Sequence, residues 1–366
     1  MIAINQTKRG WLTPTRVITA IIFSIFATIG YLYTPTYEMD LYRYYENADS
    51  LDQNISLIDY AIETANIHFD FIYFTTFLAL KKMGAPKELA TALFAGLLYS
   101  QAFLLIKSLT IDTRTQKSYR LLGISAFIAF STAAPLYTLS ISRNAAAFSF
   151  VFLSLTLLSK QRILPNALIS IAAIYTHVLS FFYIIAALAL QKISFLRINK
   201  RILRNTLLFL FVTISGTKFH SDLTKLDALR DLWFFRDFAR YAVYLDPSAN
   251  NAVGSIFDKL AYYDTLLILA SSATMLLGLL RLKTYKTTTW VCYYMYIFYV
   301  LSFQISVAAT QRTSIFLMPL HGFIVYEVLS QEKQGGFFLT AYKSLLITTL
   351  LAFTVNIIGN RYFLFG

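Results

Sequence analysis

Residues 121–159 read LLGISAFIAFSTAAPLYTLSISRNAAAFSFVFLSLTLLS, and Arg143 is the only formally charged residue among them. The stretch has room for two membrane-crossing helices, each of which takes about 20 apolar residues. Arg143 cannot be explained as a solubilising surface charge, because ionisable groups in or beside membrane spans are costly and usually line a cavity or a substrate path. The segment therefore predicts a membrane protein and one candidate functional residue.

The composition supports this reading over the whole chain. Of the 366 residues, 57% are hydrophobic and only 14% are charged, against about 25% charged in soluble domains. Apolar runs of span length recur and are continuous, as in transmembrane helices. We predict an all-α, polytopic integral membrane protein, a single membrane domain over residues 1–366 with about 11 or 12 transmembrane or re-entrant helices.

The net charge of +13 could indicate a nucleic-acid partner, but the lysines and arginines cluster in short loops between apolar runs. That distribution is typical of the positive-inside rule, so we expect membrane lipids and not nucleic acid as partners. Cys292 is the only cysteine, which excludes an intrachain disulfide and a cysteine-based metal site.

Loop charges give an order to the first half of the chain. Basic residues precede the apolar run Val17–Tyr33, which lacks a small-residue cleavage site and predicts a retained first span with a cytoplasmic N-terminus. Residues 34–66 then form an outer loop, and the basic residues of 107–120 lie in the cytoplasm. Because those two loops lie on opposite faces of the membrane, an odd number of crossings must separate them. The full span at about residues 89–106 already supplies one crossing, so the short piece Phe69–Leu80 is expected to be re-entrant or interfacial.

The same reasoning places three isolated ionisable residues on one face. Leu121–Ile141 runs outward as one span, which puts Arg143 at an outer turn. The stretch 163–191 is basic at both ends and would be about 43 Å long as one helix, so two short helices meeting near His177 are expected. Arg312 lies at an outer turn between the apolar runs 290–307 and 315–329, and residues 218–260 form a second outer loop with interfacial helices.

Arg143 and Arg312 are candidate phosphate ligands. A guanidinium fork binds phosphate oxygens bidentately and stays charged at any working pH, so two of them could neutralise a diphosphate without a metal. The alternative is that each arginine is an anchor that reaches to lipid head groups. His177 is a candidate general base or hydrogen-bond donor to a substrate, and the alternative is a structural histidine in the core.

Further candidates lie in the two outer loops. Asp40, Arg43 and Tyr44 stand in an acidic and aromatic stretch that would suit sugar hydroxyls, although it could equally be an ordinary solvated loop. His220, Arg240 and Tyr241 are candidate substrate contacts with a structural role as the alternative. Neither a glycine-rich phosphate loop nor an HExxH or DxD motif occurs in the sequence, so we expect no cofactor and no metal.

Several short motifs, taken in order, resemble a known family. They are Asp40-Leu-Tyr-Arg-Tyr-Tyr, Phe69-Asp-Phe-Ile-Tyr, Ser142-Arg-Asn-Ala-Ala-Ala-Phe, Thr176-His177, and Arg312 with Phe316 four residues later. Together they resemble the EpsG-like branch of the bacterial Wzy-type polysaccharide (O-antigen) polymerases.

The resemblance implies a GT-C-like, metal-independent glycosyltransferase in the bacterial cytoplasmic (inner) membrane, with its active site and both outer loops facing the periplasm. Such a protein joins undecaprenyl-diphosphate-linked oligosaccharide units into O-antigen, capsule or exopolysaccharide. Arg143 and Arg312 would hold the diphosphate, and His177, or else Asp40, would be the base. A chain-length regulator and a flippase are the implied partners. A lipid-linked sugar flippase or transporter and a polysaccharide ligase are the alternative functions.

Overall fold

The computed structural model describes residues 13–35, 40–67, 70–110, 116–140, 142–177, 180–181, 183–185, 254–282, 287–305, 307–330 and 337–361. These residues contain helices and no strand, which confirms the all-α prediction for this part of the chain. The helices are α1 (Pro14–Leu32), α2 (Asp40–Ser50), α3 (Leu57–Ile67), α4 (Phe71–Lys82), α5 (Glu88–Leu109), α6 (Gln116–Phe130), α7 (Pro135–Ser140), α8 (Ser142–Ser159), α9 (Ile163–Thr176), α10 (Gly254–Arg281), α11 (Thr287–Ile305), α12 (Val307–Ser330) and α13 (Phe337–Gly359).

Five of the described helices are long and apolar enough to cross a membrane. They are α1, α5, the Tyr263–Arg281 part of α10, the Thr310–Ser330 part of α12, and the Phe338–Gly359 part of α13. Shorter apolar segments lie in α6, α9 and α11. The chain is therefore a multi-pass membrane protein that is helical throughout its described segments, while the expected total of about 11 or 12 spanning or re-entrant helices stays a prediction.

Helix α5 lies at the centre of the N-terminal half, where it packs against α1, α6, α8 and α12. Its side chains Leu98, Phe103 and Ile106 are fully buried. Helix α1 instead exposes an apolar residue at every fourth position and turns Gly30 toward α5. A Cβ atom on Gly30 would lie 2.8 Å from the carbonyl oxygen of Thr91, so the glycine permits this close approach of two helix backbones.

The predicted single span Leu121–Ile141 is wrong, because the structure divides it. Helix α6 ends at Phe130 and the six-residue helix α7 begins at Pro135. Proline has no N–H to donate and its ring clashes with the preceding turn of a continuing helix. The hydroxyls of Ser131 and Thr132 bind backbone carbonyls of the last turn of α6, each at 2.7 Å, which favours the turn over further helix.

The predicted break near His177 is confirmed for the described residues. Helix α9 ends at Thr176, and His177 has an extended backbone with φ −163° and ψ 125°. The chain is helical again at residues 180–181 and 183–185. The carbonyl of His177 accepts a hydrogen bond from the backbone N–H of Ser180 at 2.9 Å, so the imidazole stands at a junction between two helical pieces.

Helix α4 has 12 residues and is about 18 Å long, which is too short for a hydrocarbon core of about 30 Å. Its Tyr73 and Phe77 are buried inside the protein. This length agrees with the expectation that the 69–80 segment does not cross the membrane.

The segment 34–66, predicted as an outer loop, contains α2 and all of α3 except its last residue, Ile67. Helix α2 is tied to α4 because the ammonium group of Lys81 donates to the carbonyls of Ala48, Asp49 and Leu51 at 3.0, 2.6 and 2.8 Å. Most of the second predicted loop, residues 218–260, lies outside the described residues. Its last residues, from Gly254, are helical and continue into α10.

Candidate functional site

Three elements hold the side chain of Arg143. It is the second residue of α8, and it forms an ion pair with Asp70, which immediately precedes α4; their side chains are 18% and 10% exposed. The carboxylate of Asp70 does not cap α4. The guanidinium carbon lies 5.6 Å from the centroid of the Tyr44 ring on α2. Arg143 is therefore held by charge on one partner and by an aromatic face on another.

Tyr73 supports this arrangement from within the protein. Its ring packs edge-on against Tyr44 with 5.3 Å between centroids, and its hydroxyl forms a hydrogen bond with that of Ser142, the residue before Arg143. Tyr73 is fully buried. The pair fixes where α8 begins and hence where Arg143 points.

Arg312 lies within a helix and not at the turn predicted for it. Helix α12 begins at Val307, so Arg312 is in its second turn, between the buried Gln311 and Thr313. The five residues from Val307 to Gln311 contain neither proline nor glycine. Ala308 and Ala309 favour a helix at that place. The guanidinium is therefore carried by a regular helix.

The structure brings the three isolated residues together. His177 is 1% exposed, and both Arg143 and Arg312 act electrostatically on its ring. Burial, followed by the positive charges of Arg143 and Arg312, holds the pKa of His177 well below its usual range. At neutral pH the imidazole is thus uncharged, and the positive charges of two guanidinium groups act on it.

Stacked aromatic rings connect the helices that carry this group. The Tyr183 ring stacks on Phe316 of α12 with 4.4 Å between centroids, and it meets Phe148 of α8 edge-on at 5.2 Å. The Tyr183 hydroxyl lies 3.2 Å from that of Thr313. Such contacts fix ring positions, so the elements bearing Arg143, His177 and Arg312 are packed as one unit.

A second polar group lies beside Arg312. Asp264 on α10 is fully buried, and its Oδ1 accepts a hydrogen bond from Asn356 of α13 at 2.7 Å. Tyr137 on α7 lies near enough to this carboxylate for the two groups to interact electrostatically. Arg312 acts electrostatically on Tyr137, so the tyrosine joins the two groups.

The sequence reasoning missed Asp70 and Asp264, although a signal existed for each. Asp264 is the only formal charge in residues 260–280, the same pattern that singled out Arg143. Asp70 stands in the Phe69-Asp-Phe-Ile-Tyr motif, where an acidic residue among aromatic ones is unusual.

The remaining predicted residues are placed as follows. Asp40 is the first residue of α2 and forms an ion pair with Arg43, whose side chain is 62% exposed. No described contact joins Asp40 to Arg143 or His177. Tyr44 lies against Arg143, as given above. His220, Arg240 and Tyr241 lie outside the described residues.

Within the described part of the chain, no group of three or more His, Cys, Asp or Glu side chains is placed to hold a metal ion. The described groups instead suit charge stabilisation, since the charges of two guanidinium groups act at one buried ring and a carboxylate holds one of those groups in place. Comparisons of the chain with protein-family models, with curated proteins and with solved structures give no match. Any assignment of function therefore rests on the residues of the chain itself.

Proposed function

We propose that this protein is a metal-independent glycosyltransferase that polymerises undecaprenyl-diphosphate-linked oligosaccharide units at the periplasmic face of the bacterial inner membrane, on a GT-C-like architecture. The observation that carries the proposal is that the positive charges of Arg143 and Arg312, which are far apart in the sequence, both act on the buried ring of His177. The growing chain would pass from its lipid diphosphate to a sugar hydroxyl of the next unit, and undecaprenyl diphosphate would leave.

The leaving diphosphate explains why two arginines are needed. Negative charge develops on it as the bond to the sugar breaks, and fixed cations in a partly dry site stabilise that charge by several kcal/mol or about 10²–10³-fold in rate. Asp70 orients the fork of Arg143 through their ion pair. The cation of Arg143 at least is thus ordered before substrate binds, and Arg312 is carried by helix α12.

His177 is better suited to hydrogen bonding than to holding a proton. Two neighbouring guanidinium groups oppose a third positive charge, and burial opposes it further. Of the two roles predicted for His177, the geometry favours a hydrogen bond to the substrate over that of general base.

The lipid tail has an apolar surface to follow. Helix α9, which leads to His177, exposes Ile163, Leu164 and Leu168 at 76%, 71% and 60%. A hydrocarbon chain can lie against such a surface within the bilayer while its head group reaches the arginines. This is an arrangement that only a membrane-embedded site allows.

The test is replacement of each arginine in a strain that lacks the native gene. Arg143→Ala and Arg312→Ala should abolish polymer while single lipid-linked units and protein level persist, and lysine should rescue poorly because it lacks the bidentate fork. Arg281→Ala is the matched control. Arg281 is the last residue of α10 and stacks on Phe338. It lies about 25 Å along the helix from Asp264. Normal polymer in both alanine variants at the site would overturn the proposal.

Purified protein distinguishes the alternative functions. Given lipid extract from cells that accumulate unpolymerised units, a polymerase makes a ladder of longer products. A ligase makes a single transfer to a second acceptor, and a flippase or transporter forms no new bond. The chain-length regulator and the flippase expected as partners are not needed for this assay.

A further inference from the structure

Asp264 is a buried carboxylate with one oxygen hydrogen-bonded and the other without a hydrogen-bond partner. It lies on α10 and is fully buried, as are Asn356 and Asn360 of α13. Its Oδ1 accepts a hydrogen bond from the amide of Asn356 at 2.7 Å, whereas its Oδ2 has no partner among the described residues. The ion pairs in the described part of the chain do not include Asp264. Its negative charge is therefore buried without a cation to compensate it.

The two asparagines bring further unbonded atoms to the same place. Within the described segments, the Oδ1 of Asn356 and both amide atoms of Asn360 are buried and lack hydrogen-bond partners. Asn360 follows Asn356 by one helical turn, so the two side chains share a face of α13, and Asn360 also lies close to the carboxylate. Asp264, Asn356 and Asn360 thus form one carboxylate–amide cluster.

Close packing fixes the backbone around the carboxylate–amide cluster. Gly359 of α13 lies against Tyr263 of α10, and an added Cβ would be 2.5 Å from that ring. These two residues directly precede two members of the cluster in the chain. The side chain of Gln311 on α12 donates to the backbone carbonyl of Asp264 at 3.5 Å. Contacts that do not use the unbonded atoms therefore hold those atoms together where three helices meet.

The unbonded atoms of the cluster favour a positive ion over water. Three of the four are oxygens, and oxygens of carboxylates and carboxamides are the ligands of hard cations. A water molecule would leave the charge of Asp264 uncompensated inside a membrane span, which is costly. One carboxylate balances one positive charge. A monovalent ion therefore fits, whereas a divalent ion would leave a net charge buried.

The end of α13 also favours a cation at this place. The helix ends at Gly359, so the cluster lies at its last turn, where the helix dipole is negative. Carbonyls in the last turn of a helix have few intrahelical donors and are available as further oxygen ligands, and helix ends of this kind bind Na⁺ in membrane proteins. Arg361, the nearest following cation in the chain, is exposed and so does not fill the cluster.

We propose that Asp264, Asn356 and Asn360 form a binding site for one monovalent alkali cation, which joins α10 to α13 inside the membrane. The Oδ2 of Asp264 and the amide oxygens of the two asparagines coordinate the ion. The ion stabilises the fold and takes no part in the glycosyl transfer. This inference therefore does not depend on the proposed function.

Thermal unfolding of the detergent-purified protein tests the site. At equal ionic strength, at least one of NaCl, KCl and LiCl should raise the melting temperature by about 3 °C or more over choline chloride, with a shift that saturates. Asp264→Asn should lose this dependence and should be at least as stable as the wild type in choline chloride, because it buries no charge. Asn360→Ala should keep the dependence with roughly tenfold weaker affinity, since it loses one oxygen ligand.

Thr349→Val is the matched control. The hydroxyl of Thr349 lies 2.8 Å from that of Thr274, which is another polar contact between α13 and α10. The variant should lower the melting temperature in every salt and keep the cation-dependent shift of the wild type. Loss of a contact between the two helices is thereby separated from loss of the ion.

Equal melting temperatures of the wild type in all four salts overturn the site, because a proton or a water molecule then satisfies Asp264. A cation-dependent shift that persists in Asp264→Asn overturns it as well. If Asp264→Asn does not fold, Asn360→Ala decides, and an unchanged half-saturating concentration of the cation overturns the site. These outcomes leave the proposed function untouched, since the arginine variants test that separately.

Discussion

The Asp70–Arg143 ion pair determines how one cation of the site is presented. Both side chains are largely shielded from water, so the pair is little screened by salt. Desolvation offsets much of the attraction in such a pair, and its presence is weak evidence for stability. Removing one partner is a different matter, because the other charge is then left buried without compensation.

We therefore predict that Asp70→Asn destabilises the protein by about 3 kcal/mol. The double variant Asp70→Asn/Arg143→Gln should recover part of the loss, because it removes the uncompensated charge as well. Unfolding of detergent-purified protein measures both. Asp49→Asn breaks the exposed pair with Lys87 and should cost at most about 1 kcal/mol. Wild-type stability in Asp70→Asn would show that the two side chains are not paired.

The short helices set the geometry around the site more than the long ones do. Helix α2 brings Tyr44 to Arg143, α4 brings Tyr73 to Ser142, and α7 brings Tyr137 to Asp264. A short helix has little stability of its own, so its position depends on contacts at its ends. For α2 that contact is the Lys81 side chain, which occupies carbonyls at its C-terminal end.

Lys81→Met should loosen α2 without unfolding the protein. A hydrogen bond to a charged group is worth about 1.5–3 kcal/mol, so amide hydrogen exchange in α2 should become roughly 10-fold faster or more. Exchange in α5 should stay unchanged. Lys87→Met removes a partly exposed ion pair with the same helix and should change exchange in α2 by less than about threefold. Equal effects of the two variants would contradict the assigned role of Lys81.

Across the whole molecule, the spans are held by close packing at small residues. Gly30 lets α1 lie against α5, and on Gly322 of α12 a Cβ would come within 2.5 Å of Ile106 on α5. Inside a bilayer the association of helices depends on such packing, since lipid is as apolar as the side chains it replaces. A methyl group added at Gly30 or Gly322 would therefore clash with the neighbouring helix.

Gly30→Ala and Gly123→Ala should change thermal stability in opposite directions. A methyl group on Gly30 meets the backbone of Thr91 at 2.8 Å and should cost about 1–3 kcal/mol through overpacking. Gly123 has no atom within 4 Å of an added Cβ, and alanine there should gain up to about 1 kcal/mol from helix propensity. A rise in melting temperature for Gly30→Ala would refute the close approach of α1 and α5.

Isolated charges in apolar runs led to Arg143, His177 and Arg312, whose roles stay predictions, and hydropathy was a sound guide to the fold class. Both signals are local, because an arginine such as Arg143 is conspicuous against its own neighbours in the chain. The extent of the helices was harder to predict. Pro135 divides an apolar run that hydropathy reads as continuous, and α12 begins at Val307, before the apolar run where it was expected.

The partners of the site residues could not be predicted. The bond of Asp70 to Arg143 and that of Asn356 to Asp264 each join residues far apart in the chain. Neither has a signature in one sequence, because each depends on how helices pack. Asp264 itself was within reach of the rule that found Arg143.

Pro319 lies inside α12, two turns beyond Arg312, and has a mechanical consequence. A proline there gives the carbonyl of Ile315 no N–H and pushes against it, which is a common cause of a bend in a helix. The part of α12 that carries Gln311 and Arg312 is therefore joined to the rest of the helix through a turn that lacks one backbone hydrogen bond. A small swing of that arm would move the guanidinium toward or away from His177 without unwinding any of the helix that bears it.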